Sequence, residues 1–198
     1  AIRNSAARVE ETAPPVTGWQ RLRAADERWT RRLCIAETPG MLRTAAMFLA
    51  HSGDSWFWAI GLAAVWRWGD ADWQRWALSL FSAILLTGLI VIVLKFAIQR
   101  RRPAGHWGGI YRKTDPHSFP SGHAARAALL LGLGLWMGPG WFRLAMLIYS
   151  PLMALARISM GLHYLSDVVA GYVLGLMLAA SSGWWLSSIG WPLALRSG

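Results

Sequence analysis

The stretch that decides the fold is residues 78–94, LSLFSAILLTGLIVIVL, which contains no charged side chain. With its flanks, from Trp73 to Ile98, it is long enough to cross a bilayer as a helix, which takes about 20 apolar residues. The whole chain shares this bias, with 55 % hydrophobic residues and 14 tryptophans among 198 residues. This composition excludes an ordinary soluble domain and predicts a protein that lies mostly in lipid.

Four further apolar stretches are separated from this one by polar or turn residues. They are residues 55–68, 121–137, 141–159 and 162 to beyond 180. Together the stretches predict an all-α fold, an integral membrane helical bundle of about five transmembrane helices. The stretch 55–68 is short for a bilayer, so we expect it to tilt or to be helped by the short apolar helix 41–50 that precedes it.

The two ends of the chain have other patterns. Residues 1–18 are polar, show no signal-peptide pattern and are predicted to be a flexible tail. Apolar residues then recur at helical spacing with arginines opposite, and they are Trp19, Leu22, Ala25, Trp29 and Leu33. They predict an amphipathic interfacial helix, which lies on the membrane surface or docks on the protein's own cytosolic loops. Residues 183–198 are predicted to be the interfacial end of the last span or a short re-entrant piece.

One membrane domain is therefore expected after the tail. Its predicted parts are an amphipathic helix at 19–40 and a helical bundle at 41–185, with a polar loop at 99–120. The net charge of +10 raises the question of nucleic acid, but the apolar stretches leave no soluble module to carry a basic binding face. Cys34 is the single cysteine, and no Cys and His spacing suggests a metal site, so no metal and no cofactor is predicted.

An up-and-down chain places alternate connections on opposite membrane faces. The connections 68–73, 138–141 and 183–191 share one face, which is flanked by an aromatic belt. The belt consists of Trp66, Trp68, Trp73, Trp76, Trp136, Trp141, Trp184 and Trp185. The other face receives the polar residues Lys95, Arg102, Ser121, His123, Arg157, His163 and Asp167. Ionisable groups beside apolar spans are costly unless they are paired or functional, so this convergence predicts a functional site.

The cations of that face require an anion. They are Lys95, Arg102 and Arg157. The only acid expected at the same helix ends is Asp167, so an anionic ligand is predicted to balance the charge. Ser121 is expected to cap a helix whose first N–H groups point at the same place, and Gly122 lets an oxyanion approach. Two guanidinium groups, an ammonium and a helix N-terminus suit the three equatorial oxygens of a phosphoryl group in transfer, and no metal is then required.

Two histidines remain to carry out the reaction. Because His163 and Asp167 are four residues apart, we expect the carboxylate to accept a hydrogen bond from one ring nitrogen while the other attacks phosphorus. His123 is predicted to protonate the leaving alkoxide and then to activate the water that hydrolyses the phosphohistidine. These roles make the predicted protein a metal-independent lipid phosphatase.

Three motifs also carry a family resemblance. They are KFAIQRRRP at 95–103, PSGH at 120–123 and ARISMGLHYLSD at 156–167. Over about residues 50–180 the chain resembles the type 2 phosphatidic acid phosphatase family. The resemblance implies a helical bundle, a phosphohistidine intermediate, metal independence and kinship with vanadium haloperoxidases. One departure is Ala156, where the family usually has Ser before the arginine, and we expect activity to survive it.

Other polar residues receive simpler interpretations. Arg100 and Arg101 are predicted to be charged anchors at a span end. His51 and Asp54 are predicted to shape a kink between helices. For the remaining loop residues, solvated roles and headgroup-contacting roles stay equally open; they are His106, Tyr111, Arg112, Lys113, Asp115 and His117.

The expected partners are the membrane and a lipid phosphate that enters from it. The substrate candidates are phosphatidylglycerol phosphate, phosphatidic acid, a polyprenyl diphosphate and a polyprenyl-linked sugar phosphate. The alternatives to a phosphatase are a vanadate-dependent haloperoxidase-like enzyme and a non-enzymatic lipid-binding protein.

The predicted location is a bacterial inner membrane, with the site on the cytoplasmic face because basic residues favour that side. On the active face, basic residues without a catalytic assignment are Arg21, Arg23, Arg28, Arg31, Arg32, Arg43, Arg100, Arg101, Arg112 and Lys113. The opposite face has Arg67, Arg75, Arg143 and Arg196.

Overall fold

The computed structural model describes residues 17–105 and 107–191. Within these ranges the regular elements are all helices. They are α1 Gly18–Leu33, α2 Met41–Ser52, α3 Ser55–Trp68, α4 Ala71–Ile98, α5 Gly109–Thr114, α6 Gly122–Met137, α7 Gly140–Ser159 and α8 Leu165–Ser188. The predicted tail, apart from its last two residues, lies outside the described residues, as do His106 and residues 192–198 of the predicted C-terminal segment.

The predicted all-α membrane fold is confirmed, and the five predicted spans correspond to α3, α4, α6, α7 and α8. Three of these, α4, α7 and α8, are long and apolar enough to cross a membrane. Helices α3 and α6 are shorter, with 14 and 16 residues. Helix α8 extends to Ser188, so residues 183–188 continue the last span.

Two helix starts differ from the predicted ones for local reasons. Helix α4 begins two residues before Trp73, because the Asp70 side chain accepts hydrogen bonds from the N–H groups of Asp72 and Trp73. Helix α8 begins at Leu165 and not near Leu162. Gly161 has a φ of +64°, a left-handed conformation that ends the preceding helical turn, and the chain is extended at Tyr164.

Close contact between α6 and α8 organises the site. Helix α8 carries Gly171 and Gly175, a G-x-x-x-G spacing that lets two helix backbones approach. A Cβ atom at Gly171 would lie 2.4 Å from the Ser121 carbonyl oxygen. A Cβ atom at Gly175 would lie 2.0 Å from the Ala125 carbonyl oxygen. The Ser121 N–H also donates to the carbonyl oxygen of Asp167 at 3.0 Å. The start of α6 is thus fixed against the start of α8.

The largest cluster of buried side chains lies toward the tryptophan-rich end of the bundle. In it the rings of Trp76 and Phe142 meet edge to face with centroids 5.0 Å apart. The outward faces of the long helices keep apolar side chains exposed, among them Leu85, Leu89 and Leu147. Exposed apolar faces of this kind are expected where the surrounding solvent is lipid.

Helix α1 docks on the bundle through polar side chains. Thr30 Oγ1 accepts a hydrogen bond from the N–H of Leu165 at 3.0 Å, and Asp26 Oδ1 accepts one from the N–H of Ser166 at 3.0 Å. Both donors belong to the first turn of α8. Trp19 and Leu22 of the predicted apolar stripe remain exposed. The helix therefore docks on the start of α8, and the exposed part of its apolar stripe remains available to a membrane surface.

Candidate active site

The loop between α4 and α6 folds back on itself. Arg101 and His117 form an isolated antiparallel bridge, and the N–H of Ser118 donates to the Arg100 carbonyl oxygen at 2.8 Å. Lys95, at the end of α4, donates to the His117 carbonyl oxygen at 2.9 Å. These contacts bring Arg102 and Ser118 next to the connection between α7 and α8, where His163 lies.

His163 is fully buried, and its two ring nitrogens have chemically different partners. Nδ1 lies 2.8 Å from the carbonyl oxygen of Ser118, and Nε2 lies 3.2 Å from Nη1 of Arg102. A carbonyl oxygen only accepts hydrogen bonds and a guanidinium only donates them, so Nδ1 carries the proton and Nε2 carries the lone pair. The nitrogen with the lone pair therefore faces a cation.

The predicted hydrogen bond between His163 and Asp167 is wrong. Asp167 Oδ2 lies 3.8 Å from His163 Nδ1, which is beyond hydrogen-bond range. The four-residue spacing suggested one helical face, but α8 begins at Leu165, after the histidine. Asp167 Oδ2 instead accepts from the N–H of Tyr164 at 2.9 Å. The carboxylate thus fixes the turn that presents the histidine, and the Ser118 carbonyl holds the ring.

The prediction that Arg100 is an anchor is also wrong. Its Nη1 donates to Asp167 Oδ1 and to Ser166 Oγ, both at 2.7 Å, and its Nη2 donates to Asp26 Oδ2 at 2.7 Å. The guanidinium also lies 4.1 Å from the ring centroid of Tyr164. Arg100 therefore joins α1 to the start of α8. Its neighbour Arg101 is exposed, as an anchor would be.

Asp115 pairs with two of the three cations that were predicted to bind phosphate, Lys95 and Arg102. It forms an ion pair with Lys95, and its Oδ2 accepts from Arg102 Nη2 at 2.8 Å. Arg102 Nε also donates to the Asp115 carbonyl oxygen at 2.7 Å. The solvated and headgroup-contacting roles considered for Asp115 both omit these contacts, although its side chain is still 41 % exposed. The sequence placed three cations and one acid on this face. That excess of positive charge indicated that a further carboxylate would pair with the cations.

His123 meets a carboxylate from the junction of α2 and α3. Its Nε2 lies 2.8 Å from Asp54 Oδ1. The chain does break at this junction, as predicted for His51 and Asp54, but Asp54 also contacts a predicted catalytic residue. Arg157 is buried, and its Nη1 donates to the carbonyl oxygen of Ala50 at 3.2 Å. The same junction thus touches both a histidine and an arginine of the site.

The electrostatics of His163 show that the predicted groups converge. Burial, and then the positive charges of Arg157 and Arg102, hold the pKa of the His163 imidazole well below its ordinary value. Lys95 and His123 act in the same direction. The ring is therefore neutral at physiological pH, which leaves the Nε2 lone pair available.

The N-terminus of α6 completes the site. Ser121 is the N-cap residue, is fully buried, and accepts from the N–H of Ala124 at 3.5 Å through its Oγ. Gly122 is the first helical residue, where backbone N–H groups lack acceptors within the helix. A Cβ atom at Gly122 would lie 3.2 Å from Val91 Cγ1, so a larger residue would push against α4. The structure thus places a helix end beside the two histidines.

Across residues 17–105 and 107–191, no group of three or more His, Cys, Asp or Glu side chains is arranged to hold a metal ion. The charged groups of the site are instead cations with three carboxylates distributed among them. Asp115 faces Lys95 and Arg102, Asp54 faces His123, and Asp167 faces Arg100.

The chain is similar to known bacterial phosphatases. The lipid A 1-phosphatase of Rhizobium etli is 32 % identical over 133 residues, which cover 59 % of this chain and 57 % of that protein. The chain therefore spans little more than half the length of that relative. The decaprenylphosphoryl-5-phosphoribose phosphatase of Mycobacterium tuberculosis is 31 % identical over 150 residues, 74 % of this chain and 81 % of that one.

A solved structure shares the fold. The PAP2-type phosphatidylglycerolphosphate phosphatase of Bacillus subtilis superposes with a TM-score of 0.66 over 85 % of this chain and 88 % of that one, at 22 % identity. The family model described as the PAP2 superfamily matches residues 76–191, a range that contains all three motifs. The junction of α2 and α3, which carries Asp54, precedes this range. The chain belongs to the PAP2 superfamily.

Proposed function

We propose that the protein is a metal-independent membrane lipid phosphatase that forms a phosphohistidine at Nε2 of His163. The observation that carries the proposal is the hydrogen bonding of this one ring. Its Nδ1–H donates to the Ser118 carbonyl oxygen at 2.8 Å, and its Nε2 atom, which carries the lone pair, lies 3.2 Å from Nη1 of Arg102. A neutral imidazole with its lone pair directed at cations is suited to attack an anionic phosphorus centre.

In the first step, Nε2 of His163 attacks phosphorus while the bond between phosphorus and the lipid oxygen breaks. Lys95, Arg102 and Arg157 bind the three equatorial oxygens, and the N–H groups at the start of α6, after Ser121, contribute further donors. The Ser118 carbonyl accepts from Nδ1–H and so favours the positive charge that develops on the ring.

Proton transfer is assigned to His123. In its protonated form it donates to the departing lipid alkoxide, so the alcohol leaves neutral. The neutral ring then takes a proton from the attacking water, the phosphorus–nitrogen bond of His163 breaks, and inorganic phosphate is released. Asp115 gives up its contacts with Lys95 and Arg102 when the phosphoryl group binds, because both anions need the same cations.

The substrate class that the proposal names is a membrane lipid with a phosphate ester or diphosphate. The names of two relatives add lipid A 1-phosphate and decaprenylphosphoryl-5-phosphoribose to the substrates worth assaying. The exposed apolar helix faces support entry of the substrate from the bilayer.

We propose an inner-membrane location with the site on the cytoplasmic face, which the basic residues of α1 and the active-site loop favour. A reporter enzyme that is active only outside the cytoplasm tests this orientation when it is fused after Gly198. Activity of the reporter supports the proposed orientation, and an inactive reporter in a stable fusion contradicts it.

The test of function is release of phosphate by the purified protein in detergent, with a chelator present, from a panel of lipid phosphates. We expect the wild type to release phosphate and His163→Ala to release none. His117→Ala is the matched control, because it removes an imidazole that meets the ring of Phe96 edge to face while its backbone contact with Lys95 remains.

Each other outcome has a defined meaning. Activity that disappears with the chelator contradicts the metal-free mechanism. A wild type that releases no phosphate from any lipid favours the non-enzymatic lipid-binding alternative. Halide oxidation that depends on added vanadate favours the haloperoxidase-like alternative.

A further inference from the structure

The junction of α2 and α3 lies before the residues that the family model matches, yet it contacts the site directly. Asp54 Oδ1 lies 2.8 Å from Nε2 of His123, and both side chains are mostly buried, with 21 % and 15 % exposed. A carboxylate at this distance from an imidazole accepts a hydrogen bond from its N–H and stabilises the protonated ring.

The position of Asp54 is fixed from two neighbouring helices. Arg126 of α6 donates to the Gly53 carbonyl oxygen, and Arg157 of α7 donates to the Ala50 carbonyl oxygen at 3.2 Å. A Cβ atom at Gly53 would lie 2.8 Å from Cδ2 of His123 and 2.7 Å from Cε of Met153. The junction therefore packs on the imidazole so closely that only glycine fits beside Asp54.

The surroundings of His123 oppose a positive charge on its ring. Burial acts in this direction, and so do the guanidinium groups of Arg157 and Arg126. His163 is a further titratable neighbour across the site. On the junction itself, Asp54 faces the ring, and His51 Nδ1 lies 3.8 Å from Asp54 Oδ2. Asp54 is thus the acid that opposes the surrounding positive charge.

We propose that Asp54 is a positioning residue that orients His123 and favours its protonated form, so that the ring can donate to the leaving lipid oxygen. The inference rests on the proposed function, because it gives a partner to the general acid of that reaction. With Nε2–H held on Asp54, the proton transferred to the lipid oxygen comes from Nδ1. The same nitrogen then accepts the proton of the attacking water, while Nε2–H remains on the carboxylate.

The experiment compares Asp54→Asn with the wild type on two substrates. One is a lipid phosphate with an alkoxide leaving group, and the other is an aryl phosphate whose acidic phenol leaves without protonation. We expect kcat on the lipid to fall roughly 10-fold to 100-fold, a part of what a general acid contributes, and KM to stay unchanged. On the aryl phosphate we expect the rate of phenol release in the first turnover to fall by less than about threefold, because the departure of this leaving group depends little on an acid.

The pH profile provides a second readout. The carboxylate favours the protonated ring, so its removal makes His123 lose its proton at lower pH. The basic limb of kcat/KM is therefore expected to move down by about one pH unit in Asp54→Asn. A residue with only a structural role would lower activity without moving this limb.

Three further variants make the test decisive. Asp54→Glu retains the carboxylate and is expected to recover part of the loss. In a His123→Ala background, Asp54→Asn is expected to have no additional effect on lipid hydrolysis, because the two residues act as a unit. Asp70→Asn is the matched control, an acid-to-amide change at the cap of α4 that leaves activity unchanged.

The contradicting results are equally defined. Equal losses on both substrates with an unmoved pH profile, or additive effects of Asp54→Asn and His123→Ala, would overturn the inference while the phosphatase activity of the wild type stands. A misfolded Asp54→Asn variant is detected by its elution and melting in detergent, and Asp54→Glu then carries the pH test, with an unmoved basic limb counting against the inference. Failure of the proposed function itself appears separately, as an inactive wild type.

Discussion

The two histidines of the site differ in the partners that hold them. His163 donates to an uncharged backbone carbonyl, of Ser118, and its other nitrogen faces Arg102. His123 instead contacts the carboxylate of Asp54. Nearby cations favour a neutral ring at His163, and a nearby carboxylate favours a protonated ring at His123. Two identical side chains are thereby suited to opposite tasks, nucleophile and acid, by their surroundings alone.

The largest effect is expected for His163→Ala. Removal of the only nucleophile lowers kcat on a lipid phosphate by roughly 10⁴-fold or more, because no phosphohistidine can form. Initial rates of phosphate release measure this loss. Residual activity within about tenfold of the wild type would contradict the assignment of His163 as nucleophile.

His123→Ala is expected to affect the two reaction steps differently, because His123 acts as an acid in the first and as a base in the second. We expect kcat on a lipid phosphate to fall roughly 10²- to 10⁴-fold, the usual contribution of a general acid or base. With an aryl phosphate, phosphorylation of His163 continues but hydrolysis slows, so phosphoenzyme accumulates. Quench experiments that detect the bound phosphate test this, and a variant that loses both activities without accumulating phosphoenzyme would break the division of roles.

Arg100→Met is expected to have an intermediate effect. The change leaves the buried carboxylate of Asp167 and the partly buried carboxylate of Asp26 without their shared cation, which costs about 3 kcal/mol of stability. We also expect kcat to fall about tenfold, because Asp167 shapes the turn that presents His163. Melting in detergent and lipid phosphatase assays measure the two effects.

The matched control for that change is Arg101→Met, next in sequence but exposed. Its melting temperature and kcat should equal those of the wild type. Equal effects of the two substitutions would show that positive charge at the span end, and not the contacts of Arg100, is what matters.

The smallest effect is expected for Asp115→Asn. The carboxylate competes with phosphate for Lys95 and Arg102, so its neutralisation should strengthen inhibition by inorganic phosphate about threefold to tenfold. The inhibition constant of phosphate measures this change. Weaker inhibition would indicate that Asp115 holds the cations in place for the ligand and does not compete with it.

The sequence predicted the cations and histidines better than their counter-ions. Hydropathy located the helices α3, α4, α6, α7 and α8. The three motifs named Lys95, Arg102, Arg157 and both histidines, which lie near one another in the structure. Asp167 was the one acid predicted for the site, and the pairing of Asp26, Asp54 and Asp115 with its basic residues was missed. Asp54 lies 69 residues from His123 in sequence, and Asp26 lies 74 residues from Arg100. Helical periodicity describes neighbours three or four residues apart, so it carries no signal for such pairs.

Two local errors have equally physical causes. The hydrogen bond predicted between His163 and Asp167 assumed a continuous helix, but Gly161 in the left-handed region delays the start of α8 until Leu165. Arg100 and Arg101 were predicted to be charged anchors, and Arg102 was predicted to bind phosphate. The chain is extended there, bridged through Arg101 to His117, so residues 100 and 102 share one side while Arg101 faces out.

Trapping the covalent intermediate tests directly whether His163 is the nucleophile. A lipid phosphate with a labelled phosphoryl group is mixed with the wild-type enzyme in detergent and chelator, the reaction is quenched in alkali, and the labelled peptide is sequenced. We expect an acid-labile, alkali-stable phosphate on Nε2 of His163. Label on another residue, or turnover with no covalent label at any quench time, would contradict it.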